Sequence, residues 1–465
     1  MNKSLHVAVF LAAVCSGGLQ AQQALAPEMK GRIDAAVNDV LAKTGVPSAQ
    51  VGVVLNGNIA YTAAFGRARL KSETPATVAM HYPVGSISKQ FTAACVLLLV
   101  EDGKMTLDDP VAKWFPELTR AKEVTVRMLL SHTSGYSDYA PQDYTIPAWT
   151  KPTDPLKLVR EWAGKPLDFE PGTKWQYSNT NFVLAALIIE KVSGQPFWTF
   201  LKARVLDPLG LHEVLNLDTD RARVEPQGTE RHALGPLRSA TLEAPGWYFG
   251  DATLAMPVGD LLRWDISIID QKLLKPESYR AMETEVLLKN GAPTEYALAM
   301  DVTVKNGHRM LAHGGEVGGF VADNVILPDD RTAIAVLTNQ EASGAAAAIA
   351  AAIGTILQNP VLSNGTSPAE AQVKTMLNGL ADGKLDRTTL TEDCSFYFSE
   401  QTVSDFTSSL KLLGPVVEVK QTREMLRGGM TLRTFAVNFK TKRVNVSTYT
   451  MPDGKLEQFL VEAVE

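Results

Sequence analysis

The chain has 465 residues, of which 45% are hydrophobic and 21% charged. That balance suits a soluble globular protein of two or three domains with a sizeable buried core. A formal net charge of −6 argues against nucleic acid or an anionic membrane surface as a partner.

The elements follow in chain order. Lys3, the apolar run HVAVFLAAVC and the small-residue stretch GGLQA ending at Ala21 predict a secretory signal peptide over residues 1–21. The run is too short to remain as a membrane span, so the mature protein is expected in the periplasm or secreted. Cys15 leaves with the signal, and Cys95 and Cys394 are expected as free thiols rather than a disulfide framework. No Cys/His cluster has metal-ligand spacing, and no cofactor is expected. An amphipathic helix is predicted over Pro27 to Thr44, stopped at Gly45. Two strands joined at Asn56-Gly57 follow, a strong hairpin signal. HYPVGSISKQFTAACVLLLVEDG turns from loop into an apolar helix near Ser86 and stops at Gly103. From there to about Asn290, helical runs alternate with Pro- and Gly-rich loops. Strand patterns then return in EYALAMDVTV, MLAHGG, GFVADNVILP and RTAIAVLTN, and an Ala-rich helix closes the unit.

These elements predict an α+β domain over residues 22–358. Its antiparallel sheet is built from both ends of the domain, flanked by helices, with a long helical insertion between. A cleft between sheet and insertion is a usual place for a site. Residues 359–367 read as a linker. Ser367 and Glu370 form a capping box with Pro368 at the first helical position. A second α+β domain therefore spans 368–465, with two or three helices and then four strands. It carries no catalytic constellation, and packing, dimerisation or substrate restriction are its expected roles. The oligomeric state is left open.

Ser86 and Lys89 stand three apart at a helix start and share one face. A serine hydroxyl needs a base to become a nucleophile, and burial can bring an ammonium closer to losing its proton. The alternative is an N-cap serine with a snorkelling lysine. EPGTKWQYSNTNF places Tyr177 and Asn179 before an apolar helix, where the loop could simply be a cap. MLAHGGEVGGF places His313-Gly314-Gly315 on a strand, where a bulge is the plain reading. Ser88 is a second candidate nucleophile, but it points away from Lys89. No Gly-x-Ser-x-Gly elbow is present.

The three elements, in this order and on these structures, resemble the serine β-lactamase and penicillin-binding-protein superfamily. The resemblance is to class C β-lactamases and to their esterase and D-amino-acid-peptidase relatives, and it covers about Pro27 to Leu357. LLSHTSGY and EPGTKWQYSNTNFVLAALIIEKVSGQPF also read as family text. The resemblance implies a β-lactamase/transpeptidase-like fold, and an exported serine hydrolase acting through an acyl-enzyme. Ser86 is the implied nucleophile, with Lys89 and Tyr177 sharing the base and acid work. Tyr177 would have its pKa lowered by the neighbouring ammonium. Asn179 would hold Lys89 and a substrate amide. His313, Gly315 and Glu316 would line the substrate, with the Ser86 and Glu316 N–H groups as the oxyanion hole.

The third element departs from the β-lactamase pattern, because His313 and Gly314 stand where Lys and Thr would hold a substrate carboxylate. If His313 replaced that lysine, carboxylate recognition would need its imidazolium form. An ester, an amide or a D-amino-acid peptide is therefore the expected small-molecule or short-peptide substrate. β-Lactams are expected to be poor ones. The other class is a non-catalytic sensor or scaffold that keeps the cleft. His132 is expected to be structural, and Tyr248 is a candidate cleft residue. The C-terminal domain loosely resembles NTF2-like or cystatin-like folds.

Overall fold

A computed structural model describes residues 25–463 except 143–144, 234, 306, 359–366 and 428–429. The expected signal segment and residues 359–366 of the expected linker lie outside the described residues. The chain divides into two compact units, Met1–Asn359 and Pro360–Glu465.

The first unit is built on a six-stranded sheet. Its order is Asn58–Gly66, Ser48–Leu55, Thr332–Thr338, Phe320–Leu327, His308–Val317 and Asp301–Lys305. All its pairings are antiparallel. The two ends of the unit meet where Val51 pairs with Val336. Asn56 and Gly57 both have positive φ, 52° and 74°, the backbone that a tight hairpin with the strand twist requires. The Pro27–Thr44 and Ala345–Gln358 helices cover one face. There Ile33, Val37, Ile349 and Ile353 pack on Val51, Val53, Ile334 and Val336. Against the other face lies the Val258–Ile269 helix. Gly52 makes this seat possible, since a Cβ there would stand 2.6 Å from Leu262 Cδ1.

The Ser88–Glu101 helix is buried around almost its whole circumference, as its unbroken apolar sequence requires. Phe91 stacks on Trp264 with ring centroids 4.1 Å apart, and the indole N–H donates to Gln90 Oε1 at 2.6 Å. A small sheet of Tyr82–Pro83, Leu254–Met256 and Leu215–Asn216 leads into this helix and had no signal in the sequence pattern. The expected strand EYALAMDVTV is shorter than its pattern, for it starts only at Asp301. Upstream, the Ala297 N–H donates to the Met300 carbonyl at 2.8 Å and Ala299 has φ 66°. A local turn therefore takes the backbone groups that a strand would pair, and it buries Tyr296.

In the second unit the capping box forms as expected: Ser367 Oγ accepts from the Glu370 N–H, and Glu370 returns the bond. Helices Pro368–Ala381, Glu392–Tyr397 and Glu400–Leu413 precede a four-stranded antiparallel meander. Leu377, Leu380, Phe398, Phe435, Val446 and Phe459 form its own core. Cys95 and Cys394 are free and buried. Among the described residues, no helix is long and apolar enough to cross a membrane.

Candidate active site

Ser86 sits in a single 3-10 turn, Gly85–Ile87, that runs into the Ser88–Glu101 helix. The turn is held by the small sheet. The Val84 N–H donates to the Leu254 carbonyl at 3.0 Å, and the Leu254 N–H donates to Ser88 Oγ at 3.1 Å. Ser88 is thus buried and engaged as an acceptor, while Ser86 opens onto a cleft of about 730 Å³. That size is ordinary for a small-ligand site.

One helical turn on, the Lys89 side chain is fully buried. Its Nζ lies 2.9 Å from Ser86 Oγ, 2.8 Å from Asn179 Oδ1 and 3.1 Å from the Asp251 carbonyl. An ammonium has three N–H donors and here has three acceptors. Two of those acceptors are pure acceptors, whereas Ser86 is a hydroxyl that can also donate. Neutral Lys89 can therefore keep two bonds and turn its lone pair to Ser86. Burial pulls the Lys89 pKa down to about 8, opposed by the charges of Asp251 and Asp138. That brings the amine within reach of its neutral form near physiological pH.

Asn179 opens the Asn179–Ser193 helix. Its amide cannot swivel, because its Nδ2 donates to Asp138 Oδ2 at 3.3 Å and its backbone N–H to Asp138 Oδ1 at 2.9 Å. The oxygen is left facing Lys89. Tyr177 lies with its ring centroid 5.0 Å from Lys89 Nζ, and its phenol is hydrogen-bonded with Ser86. The expected lowering of its pKa is wrong. Burial, the largest cause, holds the phenol well above its ordinary value, and the bond with Ser86 only partly offsets this. Tyr177 is thus held as the neutral phenol, and of the pair it is Lys89 that burial brings closer to its basic form.

His132 lies beneath Tyr177, ring centroids 4.2 Å apart. Its Nδ1 accepts the Ser178 N–H at 3.1 Å. Burial, reinforced by Lys89 and His313, keeps it neutral. It supports the Tyr177 loop, as expected of a structural residue.

His313 is in the cleft wall but only 5% exposed. Its Nδ1 donates to the Gly314 carbonyl at 2.5 Å and its Nε2 accepts from Tyr296 Oη at 2.9 Å. Burial and then Lys89 lower its pKa to about 4. The imidazolium considered for carboxylate recognition is therefore not the form present at neutral pH.

Strand Asp301–Lys305 stops pairing at Ala312, which leaves the 313–317 edge of its neighbour free to meet the Ser86 turn. Two glycines permit the contact. A Cβ on Gly315 would stand 1.9 Å from the Val84 carbonyl oxygen and 2.9 Å from the Ser86 nitrogen. A Cβ on Gly85, whose φ is 52°, would stand 2.5 Å from the Glu316 nitrogen. The Ser86 and Glu316 amides are thus brought side by side. The Glu316 carboxylate is directed elsewhere, accepting from the Ala342 N–H at 2.6 Å.

Four residues of the site had escaped sequence reasoning: Asp138, Tyr139, Asp251 and Tyr296. Asp251 lies three residues after Tyr248, the candidate that drew attention instead, and Tyr296 lies inside the expected strand EYALAMDVTV. The Tyr248 hydroxyl lines the cleft but is committed to Glu243 Oε2.

The sequence profile described as Beta-lactamase matches residues 33–357. The chain belongs to this family. A penicillin-binding protein of Bacillus subtilis (strain 168) is 29% identical over 306 residues, covering 61% of this chain and 66% of that protein. A D-aminopeptidase of Gluconobacter oxydans (strain 621H) is 26% identical over 344 residues, covering 71% of this chain and 63% of that protein. The chain thus spans just under two thirds of each relative's length. Among solved structures, a D-stereospecific amidohydrolase from Streptomyces sp. aligns with TM-score 0.60 at 28% identity, covering 69% of this chain and 96% of that one. An octameric penicillin-binding protein homologue from Pyrococcus abyssi aligns with TM-score 0.62 at 20% identity, over 94% of this chain and 96% of that one. That last likeness is one of fold.

Proposed function

We propose that the protein is a serine hydrolase that forms an acyl-enzyme at Ser86, with amide or ester derivatives of D-amino acids or short D-peptides as substrates. The observation that carries this reading is the buried Lys89 amine, held between Ser86, Asn179 and the Asp251 carbonyl. Neutral Lys89 takes the Ser86 proton as Oγ bonds to the substrate carbonyl carbon. The carbonyl oxygen becomes an oxyanion against the Ser86 and Glu316 N–H groups, the kind of arrangement in which one donor is worth about 10²–10³ in rate. Tyr177, a neutral phenol, gives its proton to the leaving nitrogen or oxygen as the carbonyl–leaving-group bond breaks. The proton on Lys89 then restores the phenol. Water repeats the sequence on the ester of Ser86 and releases the acid.

The substrate class follows from the cleft charge. Among the described residues, Asp138, Glu243, Asp251, Glu316, Asp323 and Glu341 line it and no lysine or arginine does, with Lys89 buried beneath Ser86. A neutral His313 adds no positive charge. Such a wall disfavours a free substrate carboxylate and suits a neutral or ammonium-bearing one. The likeness to a D-aminopeptidase and a D-stereospecific amidohydrolase supports the same class. β-Lactams, which carry a carboxylate, are poor candidates. The 1–21 segment supports export to the periplasm or beyond. The separate core of the last hundred or so residues supports a C-terminal domain with a fold of its own. The test is a panel of a D-alanine p-nitroanilide, its L-enantiomer, p-nitrophenyl acetate and nitrocefin. The D-anilide and the ester should be turned over and nitrocefin should lag; turnover of nitrocefin alone would contradict the reading.

A further inference from the structure

Asp251 contributes its backbone carbonyl to Lys89, yet its side chain has no part in the chemistry above. That side chain is 2% exposed. Its Oδ1 has no hydrogen-bond partner in the structure. Its Oδ2 lies 2.9 Å from the Tyr139 hydroxyl, whose single proton is shared with the Trp247 carbonyl. A buried carboxylate with so few donors is costly. The nearby Asp138 differs, because its two oxygens take N–H groups from Asn179 and Ala140. The strongest remaining support for an Asp251 anion is the Lys89 ammonium.

We propose that the Asp251 carboxyl controls when Lys89 is free to act as a base, which makes Asp251 a positioning residue that works through Lys89. The relation is reciprocal: the ammonium favours the carboxylate, and the carboxylate favours the ammonium. The other titratable groups facing Lys89 are Tyr177, His132, His313 and Asp138. The first is a protonated phenol and both histidines are neutral. Asp138 is anchored on the Asn179 helix start. Facing Asp251 are Lys89, Tyr139 and Asp138. Asp251 is thus the one carboxyl here whose charge hangs mainly on Lys89. Burial raises its pKa to about 7, so it is mostly ionised where Lys89 titrates.

The inference rests on the acyl-enzyme reading, and the experiment separates the two. The full chain is labelled with a neutral fluorophosphonate from pH 5 to 10, and the second-order rate is followed. Asp251→Asn keeps the backbone carbonyl and the side-chain shape but removes the charge. Its acidic limb should move to lower pH by on the order of one unit, because a lysine without that carboxylate loses its proton more readily. Tyr139→Phe removes the side-chain donor to the carboxylate, disfavours the anion, and should move the limb the same way. It decides the matter if Asp251→Asn does not fold. A purely structural role would lower the rate at every pH and leave the limb in place, and that result in a folded variant overturns the inference. No labelling of the wild type at any pH would overturn the acyl-enzyme reading instead.

Discussion

Lys89 Nζ and Ser86 Oγ lie 2.9 Å apart, inside the fold rather than at its surface, and that contact sets the properties to be measured. Replacing Lys89 by Met keeps the stem but removes the base. The rate of Ser86 acylation should fall by about 10²–10⁴-fold, the usual worth of a positioned base. The Asn179 and Asp251 oxygens would lose a donor, each at about 1–3 kcal/mol if left unsatisfied. Thermal unfolding beside fluorophosphonate kinetics separates the two effects; a folded Lys89→Met variant acylated at the wild-type rate contradicts the assignment.

The pH profile has a definite sign. Burial lowers the Lys89 pKa to about 8, and the proposed base is its neutral form. kcat/KM should therefore rise with pH and level off above about 8. Tyr177 is held protonated well above its ordinary range, so no loss of the acid is expected below pH 10. With His313 titrating near 4, nitrocefin and p-nitrophenyl acetate should share one limb between pH 5.5 and 8.5. A separate fall of nitrocefin turnover with rising pH would mean that imidazolium is in use after all.

Much of this site was legible before the fold. The Asn56-Gly57 turn, the capping box at Ser367 and the three motifs around Ser86, Tyr177 and His313 depend on local chemistry, and local chemistry is written in adjacent residues. What was not legible depends on burial and on distance in the chain. Asp138 and Asp251 look like ordinary solvated carboxylates until the Asn179 helix and the Asp251 loop close on Lys89. The effect of an ammonium on Tyr177 could be foreseen in sign but not against desolvation, whose size only the packed structure gives. Tyr296 was hidden inside an apparent strand because a turn at Ala299, with φ 66°, breaks the alternation.

The proposed substrate class puts the third motif to the test. Changing His313 to Lys and Gly314 to Thr restores a cation and a hydroxyl. The Gly314 position has room, since a Cβ there finds its nearest neighbour at 3.7 Å. The ratio of kcat/KM for nitrocefin over p-nitrophenyl acetate should rise by up to about fivefold, the upper end for one added ion pair that is not fully buried. An unchanged ratio in a folded double variant would place the obstacle in the loops instead.

The contact between the Ser86 turn and its strand should tolerate no side chain. Gly315→Ala puts a carbon 1.9 Å from the Val84 carbonyl oxygen, and the strand must move away. Overpacking of this kind costs about 1–3 kcal/mol, seen as a lower Tm, and the displaced Ser86 and Glu316 amides should cost about 10²-fold or more in acylation rate. Wild-type acylation by Gly315→Ala would show that the two amides do not act together.

The central claim is that Ser86 carries the acyl group. Intact mass spectrometry of the full chain after incubation with a fluorophosphonate, followed by peptide mapping, tests it most directly. One adduct on Ser86, absent from a folded Ser86→Ala variant, is the result this account predicts. An adduct that persists in Ser86→Ala, or that maps to Ser88, would contradict it.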